Sequence, residues 1–154
     1  MEDKLSFIID TFPQLLKTLN ADTIGKWGKM NAQQMVEHVA DFFKVSNGKL
    51  IFALLTPVDL LPKYKEFLLS EKEFKENTKA PAEVVSEEPI PVRNESFQKA
   101  CAELNTEVIA FVAYFKTPNV SKTIHPVFGP LHFDEWVKLH YKHCLHHAKQ
   151  FNLL

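Results

Sequence analysis

Cysteine and glycine are both scarce in this chain, with two of the former and four of the latter in 154 residues. Two cysteines, Cys101 and Cys144, are too few for a disulfide framework, and their low number suits a reducing cytoplasm. The four glycines form no glycine-rich phosphate loop. The sequence therefore excludes a small disulfide-rich protein and an enzyme of the P-loop type.

Excess positive charge and long apolar runs are missing as well. The 18 Lys and Arg residues are balanced by 19 Asp and Glu residues and are spread along the chain. The chain therefore has no basic patch that could bind nucleic acid by releasing its counterions. No stretch approaches the roughly 20 apolar residues of a membrane span, and the first residues do not resemble a signal peptide. We expect a cytoplasmic protein without nucleic-acid or membrane partners.

What the chain does contain is apolar bulk, with 45% hydrophobic residues and thirteen Phe. This length and composition predict one globular domain over residues 1–154. Apolar residues recur at three- and four-residue spacing in four segments. The sequence therefore predicts an all-α fold without strands, with helices over residues 4–19, 31–46, 96–115 and 133–150.

Two of these helices carry sequence signals for their ends and their shape. Pro13 lies inside the first helix and should kink or split it near Thr11. Asn31 and Gln34 have the spacing of a capping box at the start of the second helix, and Asn47-Gly48 should end it.

A long connection of residues 49–95 separates the second and third helices. Residues 50–55 and 60–69 have the composition of short helices, whereas residues 79–94 contain three prolines and should be irregular. Such a connection is needed if the second and third helices run parallel, because the chain must return along the whole bundle. We therefore expect a four-helix bundle of up-down-down-up topology with a long irregular crossover.

Histidine is the unusual feature of the composition, since four of the seven histidines fall between His140 and His147. His143 and His147 lie one helical turn apart, so their imidazoles can converge on one metal ion. His38 lies on the apolar face of the second helix and is the candidate for a third ligand. Three imidazoles with an open position suit Zn²⁺, Ni²⁺ or a similar divalent ion.

Other ligand sets remain open from spacing alone. His140 with His143, and His143 with His146, are rival pairs at three-residue spacing, and Cys144 could supply a thiolate. A histidine on an apolar helix face is also a common core residue, so the histidines need not bind metal at all.

Two groups of residues resemble the DinB/YfiT-like superfamily. The second-helix signature is Trp27-Gly28-Lys29-Met30-Asn31 followed by Gln34-Met35-x-x-His38-x-x-Asp41. The C-terminal group, which resembles the DUF1569 branch, is His125-Pro126-x-Phe128-Gly129-Pro130-Leu131, then Trp136, then His143-x-x-His146-His147-x-x-Gln150-Phe151. The resemblance covers both ends of the domain and leaves residues 49–95 unmatched.

This resemblance implies a metal-binding four-helix bundle, in which His38, His143 and His147 hold one divalent ion, Zn or Ni. It further implies a hydrolase that activates water or an S-transferase that activates a low-molecular-weight thiol, with a small molecule as substrate. The alternative is a protein without catalytic activity, either with a structural metal or as a helical interaction protein. A homodimer is compatible with either function.

Five further residues have expected places around such a site. Asp41 and Gln150 are candidates to orient a ligand or a metal-bound group from outside the coordination sphere. His125 is expected at the surface or at the mouth of the pocket, and Trp27 and Trp136 are expected in the core and pocket wall.

Overall fold

The computed structural model describes all residues from 1 to 154, and the chain is mostly helical with one small two-stranded sheet. In chain order the elements are α1 (Glu2–Ser6), a π-helical turn (Phe7–Thr11), α2 (Phe12–Leu16), α3 (Ala32–Ser46), a 3₁₀ turn (Val58–Leu60), α4 (Leu61–Leu69), α5 (Phe97–Phe115), β1 (Thr123–His125), β2 (Gly129–Leu131) and α6 (Phe133–Gln150).

The N-terminal helix changes its hydrogen bonding where proline was expected to disturb it. From Phe7 to Thr11 the backbone forms a π-helical turn, and the N–H of Phe12 donates to the carbonyl of Phe7, five residues earlier. Pro13 follows in the first turn of α2 and has no N–H to donate. The helix therefore accommodates the proline by widening one turn instead of breaking.

The ends of the longer helices follow the capping residues of the sequence. Asn31 Oδ1 accepts from the backbone N–H of Gln34 at 2.9 Å, and Gln34 Oε1 accepts from the N–H of Asn31 at 3.0 Å. Ser96 caps α5 by accepting from the N–H of Lys99 at 3.1 Å. These bonds satisfy N–H groups that have no partner inside the helix, so the predicted helix starts are confirmed.

Helices α3 and α5 run parallel, as their paired contacts show. Glu37 in α3 accepts from the backbone N–H of Asn94 at 2.9 Å, just before α5 begins. Ten residues further on, Asn47 donates to Glu107 of α5 at 2.9 Å. The contacts advance together along both helices, so the connection between them must travel back along the molecule.

That connection is partly helical, although less so than expected. Residues 61–69 form α4, which confirms the second predicted short helix, whereas residues 50–55 form no helix. The end of this first segment is held against the turn after β1, because Leu55 donates its N–H to the carbonyl of Pro126 at 2.8 Å and Thr56 Oγ1 donates to the carbonyl of Val127 at 2.7 Å. Residues 79–94 are irregular, as the prolines indicate.

The expectation of an all-α fold is wrong, because β1 and β2 form an antiparallel pair with Thr123 opposite Leu131 and His125 opposite Gly129. Thr123 Oγ1 also donates to the carbonyl of Ser46 at 2.9 Å, which fixes the hairpin to the end of α3. Each strand has only three residues, too few for an alternating pattern to show in the sequence.

The core lies between α3, α5, α6 and the N-terminal helix. Its largest fully buried side chains include Phe12, Phe43, Phe111 and Trp136. No helix combines the length and the apolar character that crossing a bilayer requires.

Candidate metal centre

Three imidazoles meet where α6 crosses α3. His38 Nε2 lies 3.0 Å from His143 Nε2, and His147 Nε2 lies 2.9 Å from the same atom. All three nitrogens lie within 4.8 Å of one another. We call His38, His143 and His147 the three-histidine cluster, and it contains the three residues that the resemblance implies as ligands.

The antiparallel crossing of α3 and α6 explains why these residues meet. Ser46 at the end of α3 contacts His140 of α6, and His38, two turns earlier, contacts His143 and His147. His143 and His147 are one turn apart and project from the same face of α6. One residue of α3 can therefore contact two residues of α6.

Burial keeps the cluster uncharged at neutral pH. It lowers the pKa of His38 to about 4, with a smaller effect from the charge of His146. Burial also holds the pKa of His143 and of His147 well below the ordinary value, and the neighbouring imidazoles add to this effect. Neutral imidazole is the form that binds metal, so the cluster needs no deprotonation to act as a ligand set.

A hydrogen-bonded chain sets the orientation of His147. Gln150 Nε2 donates to the carbonyl of Trp27 at 2.8 Å, which turns Gln150 Oε1 toward His147 Nδ1 at 2.7 Å. Nδ1 must therefore carry the proton, and Nε2 is left with its lone pair facing the other two rings. Gly28 has φ +79°, and a Cβ there would lie 2.8 Å from Gln150 Nε2, so only glycine leaves the hydrogen bonds of Gln150 undisturbed.

Two of the three nitrogen separations are close to those of a tetrahedral metal site, and the third is longer. Zinc–nitrogen bonds of about 2.05 Å in tetrahedral geometry place two ligand nitrogens about 3.3 Å apart. The two short separations, 3.0 Å and 2.9 Å, need to open by a few tenths of an ångström. The third pair of nitrogens, from His38 and His147, lies within 4.8 Å and has to close by up to about 1.5 Å, which requires rotation about the side-chain torsion angles. Three neutral imidazoles are suitable donors for a late divalent ion, so the residues present fit such an ion.

His140 belongs to the core and not to the cluster. Its Nε2 lies 2.9 Å from Ser46 Oγ, and its ring stacks on Phe43 with centroids 3.7 Å apart and against Trp136 at 5.3 Å. With 1% exposure it is fully enclosed. The rival pair of His140 with His143 is therefore not assembled.

His146 and Cys144 are also outside the cluster. The His146 ring lies edge-on to Trp27, with centroids 5.5 Å apart, and faces the loop that contains Phe74. Cys144 is buried in the hydrophobic core, where burial raises the pKa of its thiol. A thiol held protonated among apolar side chains is a poor metal ligand.

Of the two residues proposed to support the ligands, the structure brings Gln150 to the cluster and leaves Asp41 outside. The Asp41 carboxylate binds the Arg93 guanidinium at 2.9 Å and 3.1 Å, and it lies 3.6 Å from Lys44 Nζ. No hydrogen bond joins Asp41 to an imidazole. Arg93 reaches it from the crossover, so the contact could not be read from the spacing within α3.

His125 is buried, with 5% exposure, so the expectation of a surface imidazole was wrong. Its place at the end of β1, in a hairpin that the sequence did not predict, explains the error. Its Nδ1 accepts from the backbone N–H groups of Val127 and Phe128 at 3.0 Å and 3.2 Å.

The two tryptophans differ in position. Trp27 is half-buried beside His146 and supplies the carbonyl that holds Gln150, whereas Trp136 is fully buried against His125 and His140. Both indole N–H groups are enclosed without an acceptor. The core position of Trp136 agrees with the sequence-based expectation.

Comparison with models of protein families, with curated proteins and with solved structures found no match for this chain.

Proposed function

We propose that this chain is a metal-dependent enzyme of the DinB/YfiT-like type, in the DUF1569 branch. His38, His143 and His147 hold one divalent ion, Zn²⁺ or Ni²⁺, and a small-molecule substrate binds beside it. The observation that carries this proposal is the convergence of three neutral Nε2 atoms from two helices within 4.8 Å. Such a set of neutral imidazoles is suited to late divalent ions.

An open coordination position favours catalysis over a structural metal. Structural zinc sites are closed by four protein ligands, whereas catalytic sites use three and leave one position to water or substrate. No fourth histidine, cysteine or carboxylate joins the three-histidine cluster. His38 and His143 are half-buried, so the cluster is within reach of a small molecule from solvent.

The chemistry we propose is activation of water or of a low-molecular-weight thiol. A bound divalent ion lowers the pKa of either toward neutrality, which produces a nucleophile at physiological pH. The protein residues have three tasks: burial keeps the imidazoles neutral, Gln150 fixes the tautomer of His147, and Phe42 covers one side of the cluster. The reaction is hydrolysis if water attacks and S-transfer if the thiol attacks.

The proposed fold is a four-helix bundle of up-down-down-up topology. Its helices are the N-terminal helix of α1 and α2, then α3, α5 and α6, with the crossover between the second and third. The parallel pairing of α3 with α5 and the antiparallel crossing of α3 with α6 support this arrangement. It brings one histidine of α3 opposite two histidines of α6.

Elemental analysis of the purified protein, followed by activity assays, tests this function. We expect about one equivalent of Zn or Ni per chain and a metal-dependent rate, either in conjugating a panel of thiols to a generic electrophile or in hydrolysing esters or amides. The matched pair of variants is His143→Ala, which removes a ligand, and His146→Ala, which removes a neighbouring imidazole outside the cluster.

Two results would contradict the proposal in different ways. Bound metal without any metal-dependent conjugation or hydrolysis would identify a structural metal or a binding protein. Absence of metal binding under all conditions would remove the metal centre altogether and leave a helical interaction protein.

A further inference from the structure

A small charged cavity lies between α6 and the loop that follows α4, and no residue of the three-histidine cluster lines it. Its volume is about 70 Å³. One water molecule needs at least about 10–15 Å³ of such space, so the cavity holds about five atoms of that size, the number of heavy atoms in phosphate. The charged residues of its lining are Lys4, Glu71, Lys72, Glu73, Lys138 and Lys142.

Both glutamates of this cavity already have lysine partners. Lys4 Nζ lies 3.3 Å from Glu71 Oε2, and Glu73 forms an ion pair with Lys149 of α6. None of the ion pairs in the chain involves the other three lysines of the lining, which are Lys72, Lys138 and Lys142. Three positive charges therefore surround one cavity without a counter-ion.

Lys142 is the lysine of this group that most needs a counter-ion, because it is only 6% exposed. Its Nζ donates to the carbonyl of Ser70 at 2.6 Å and to the carbonyl of Lys72. These carbonyls end the helix α4 and use two of the three ammonium donors, but they carry no net charge. A buried charge is ordinarily paired with an opposite one, and the protein supplies none here.

A phosphate group matches the size and the charge of this cavity. Its oxygens can accept from several ammonium groups at once in charge-assisted hydrogen bonds, and its double charge offsets two of the three lysines. A shallow groove adjoins the cavity, since both are lined by Lys4 and Tyr141, and Phe7 and Thr11 continue the groove. An organic group attached to the phosphate would lie in that groove.

We propose that this cavity is a binding site for a phosphate group, which Lys72, Lys138 and Lys142 hold. The ligand is either the free phosphate ion or a small phosphate monoester whose organic part lies against Phe7 and Tyr141. The site goes beyond the proposed metal-dependent function and does not depend on it.

The first test is a titration of the purified protein, labelled with ¹³C at lysine, with sodium phosphate at constant ionic strength. The Cε resonances of Lys72, Lys138 and Lys142 should shift together with one common Kd. Those of Lys116 and Lys122, which do not line the cavity, should stay in place. Similar shifts of all five lysines, or no shift of the first three up to about 10 mM phosphate, would overturn the proposal.

A pair of double variants with equal loss of charge gives a second test. In one, Lys72→Gln and Lys138→Gln remove two lysines of the cavity whose side chains make no hydrogen bond in the protein, so the fold should be kept. In the other, Lys116→Gln and Lys122→Gln remove two lysines elsewhere. The first variant should bind phosphate at least about fivefold more weakly than wild type, and the second within about twofold of it. Equal affinities of the two variants would overturn the site.

Comparing inorganic phosphate with phenyl phosphate distinguishes the two sources of the phosphate group. A monoester ligand predicts tighter binding of phenyl phosphate, with shifts of the ring resonances of Phe7 and Tyr141. Equal binding without ring shifts would identify the free ion as the ligand. Binding of either compound that leaves the lysine resonances of the cavity unchanged would place the anion elsewhere and contradict the proposal.

Discussion

His140 and His143 lie three residues apart on α6, yet their surroundings differ completely. The His140 Nε2 has its partner in Ser46 Oγ at 2.9 Å, and its ring stacks on Phe43. The His143 Nε2 instead lies 3.0 Å and 2.9 Å from the nitrogens of two other imidazoles. His140 is a satisfied core residue, whereas His143 is the centre of the three-histidine cluster.

The facing helix decides this difference. At the end of α3, the Ser46 hydroxyl donates to the carbonyl of Phe43, and its oxygen can accept from the His140 Nε2–H, so a neutral imidazole opposite it is satisfied. Two turns earlier, His38 offers another lone pair or another N–H. Since a single proton can be shared between only two of the three Nε2 atoms, a metal ion is the partner that satisfies all of them at once.

Replacing His143 should have the largest effect on Zn²⁺ binding of all the substitutions considered. His143→Ala should weaken Zn²⁺ binding by more than the roughly 100-fold that changes outside the coordination sphere cost, because it removes the central ligand itself. Isothermal titration with Zn²⁺ and metal content after dialysis measure the effect.

The matched control is His146→Ala, which removes an imidazole on the same turn of α6 that faces Trp27 and Phe74. Its metal affinity should stay within about threefold of wild type. Equal losses in the two variants would show that the ligands are chosen wrongly.

The convergence of His143 and His147 on one face of α6 could be foreseen because a four-residue spacing fixes which side chains share a helix face. The helix ends could be foreseen as well, since Asn31, Gln34 and Ser96 cap by local hydrogen bonds. Pro13 acts locally too, through its missing N–H. Local rules are sufficient wherever the interacting groups lie within one or two turns.

Contacts made over a long stretch of chain could not be foreseen in the same way. Asp41 was expected near an imidazole, but Arg93 of the crossover binds its carboxylate, and no spacing along the sequence encodes that pairing. His125 depends on a hairpin whose strands of three residues show no period. The two hydrogen bonds that its Nδ1 accepts from the Val127 and Phe128 amides exist only once that turn has formed.

A stability measurement tests the role of His140 as a core residue. His140→Ala removes a fully buried ring and its hydrogen bond to Ser46 Oγ, although the Ser46 hydroxyl still donates to the carbonyl of Phe43. The metal-free protein should therefore lose about 2–4 kcal/mol of unfolding free energy. Zn²⁺ affinity of the folded variant should stay within about threefold of wild type. Urea unfolding at several Zn²⁺ concentrations separates the two quantities, and a loss of metal binding as large as that of His143→Ala would place His140 among the ligands.

The smallest expected effect is the response of metal binding to pH, and it distinguishes a buried cluster from an exposed one. If all three imidazoles had the ordinary pKa of about 6.5, each would be about one quarter neutral at pH 6, and Zn²⁺ affinity would fall by about 50-fold from pH 7.5. Burial lowers the pKa of His38 to about 4 and those of His143 and His147 well below the ordinary value. Affinity at pH 6 should therefore stay within about twofold of its value at pH 7.5.

The stability of the metal-free protein should depend on pH in a different way. Histidines of the unfolded chain bind protons below pH 6.5 while the buried ones of the folded protein do not, so the free energy of unfolding should fall as the pH drops from 6.5 toward 4. A 50-fold loss of affinity at pH 6 would mean that the imidazoles are exposed and that the cluster is not part of the interior.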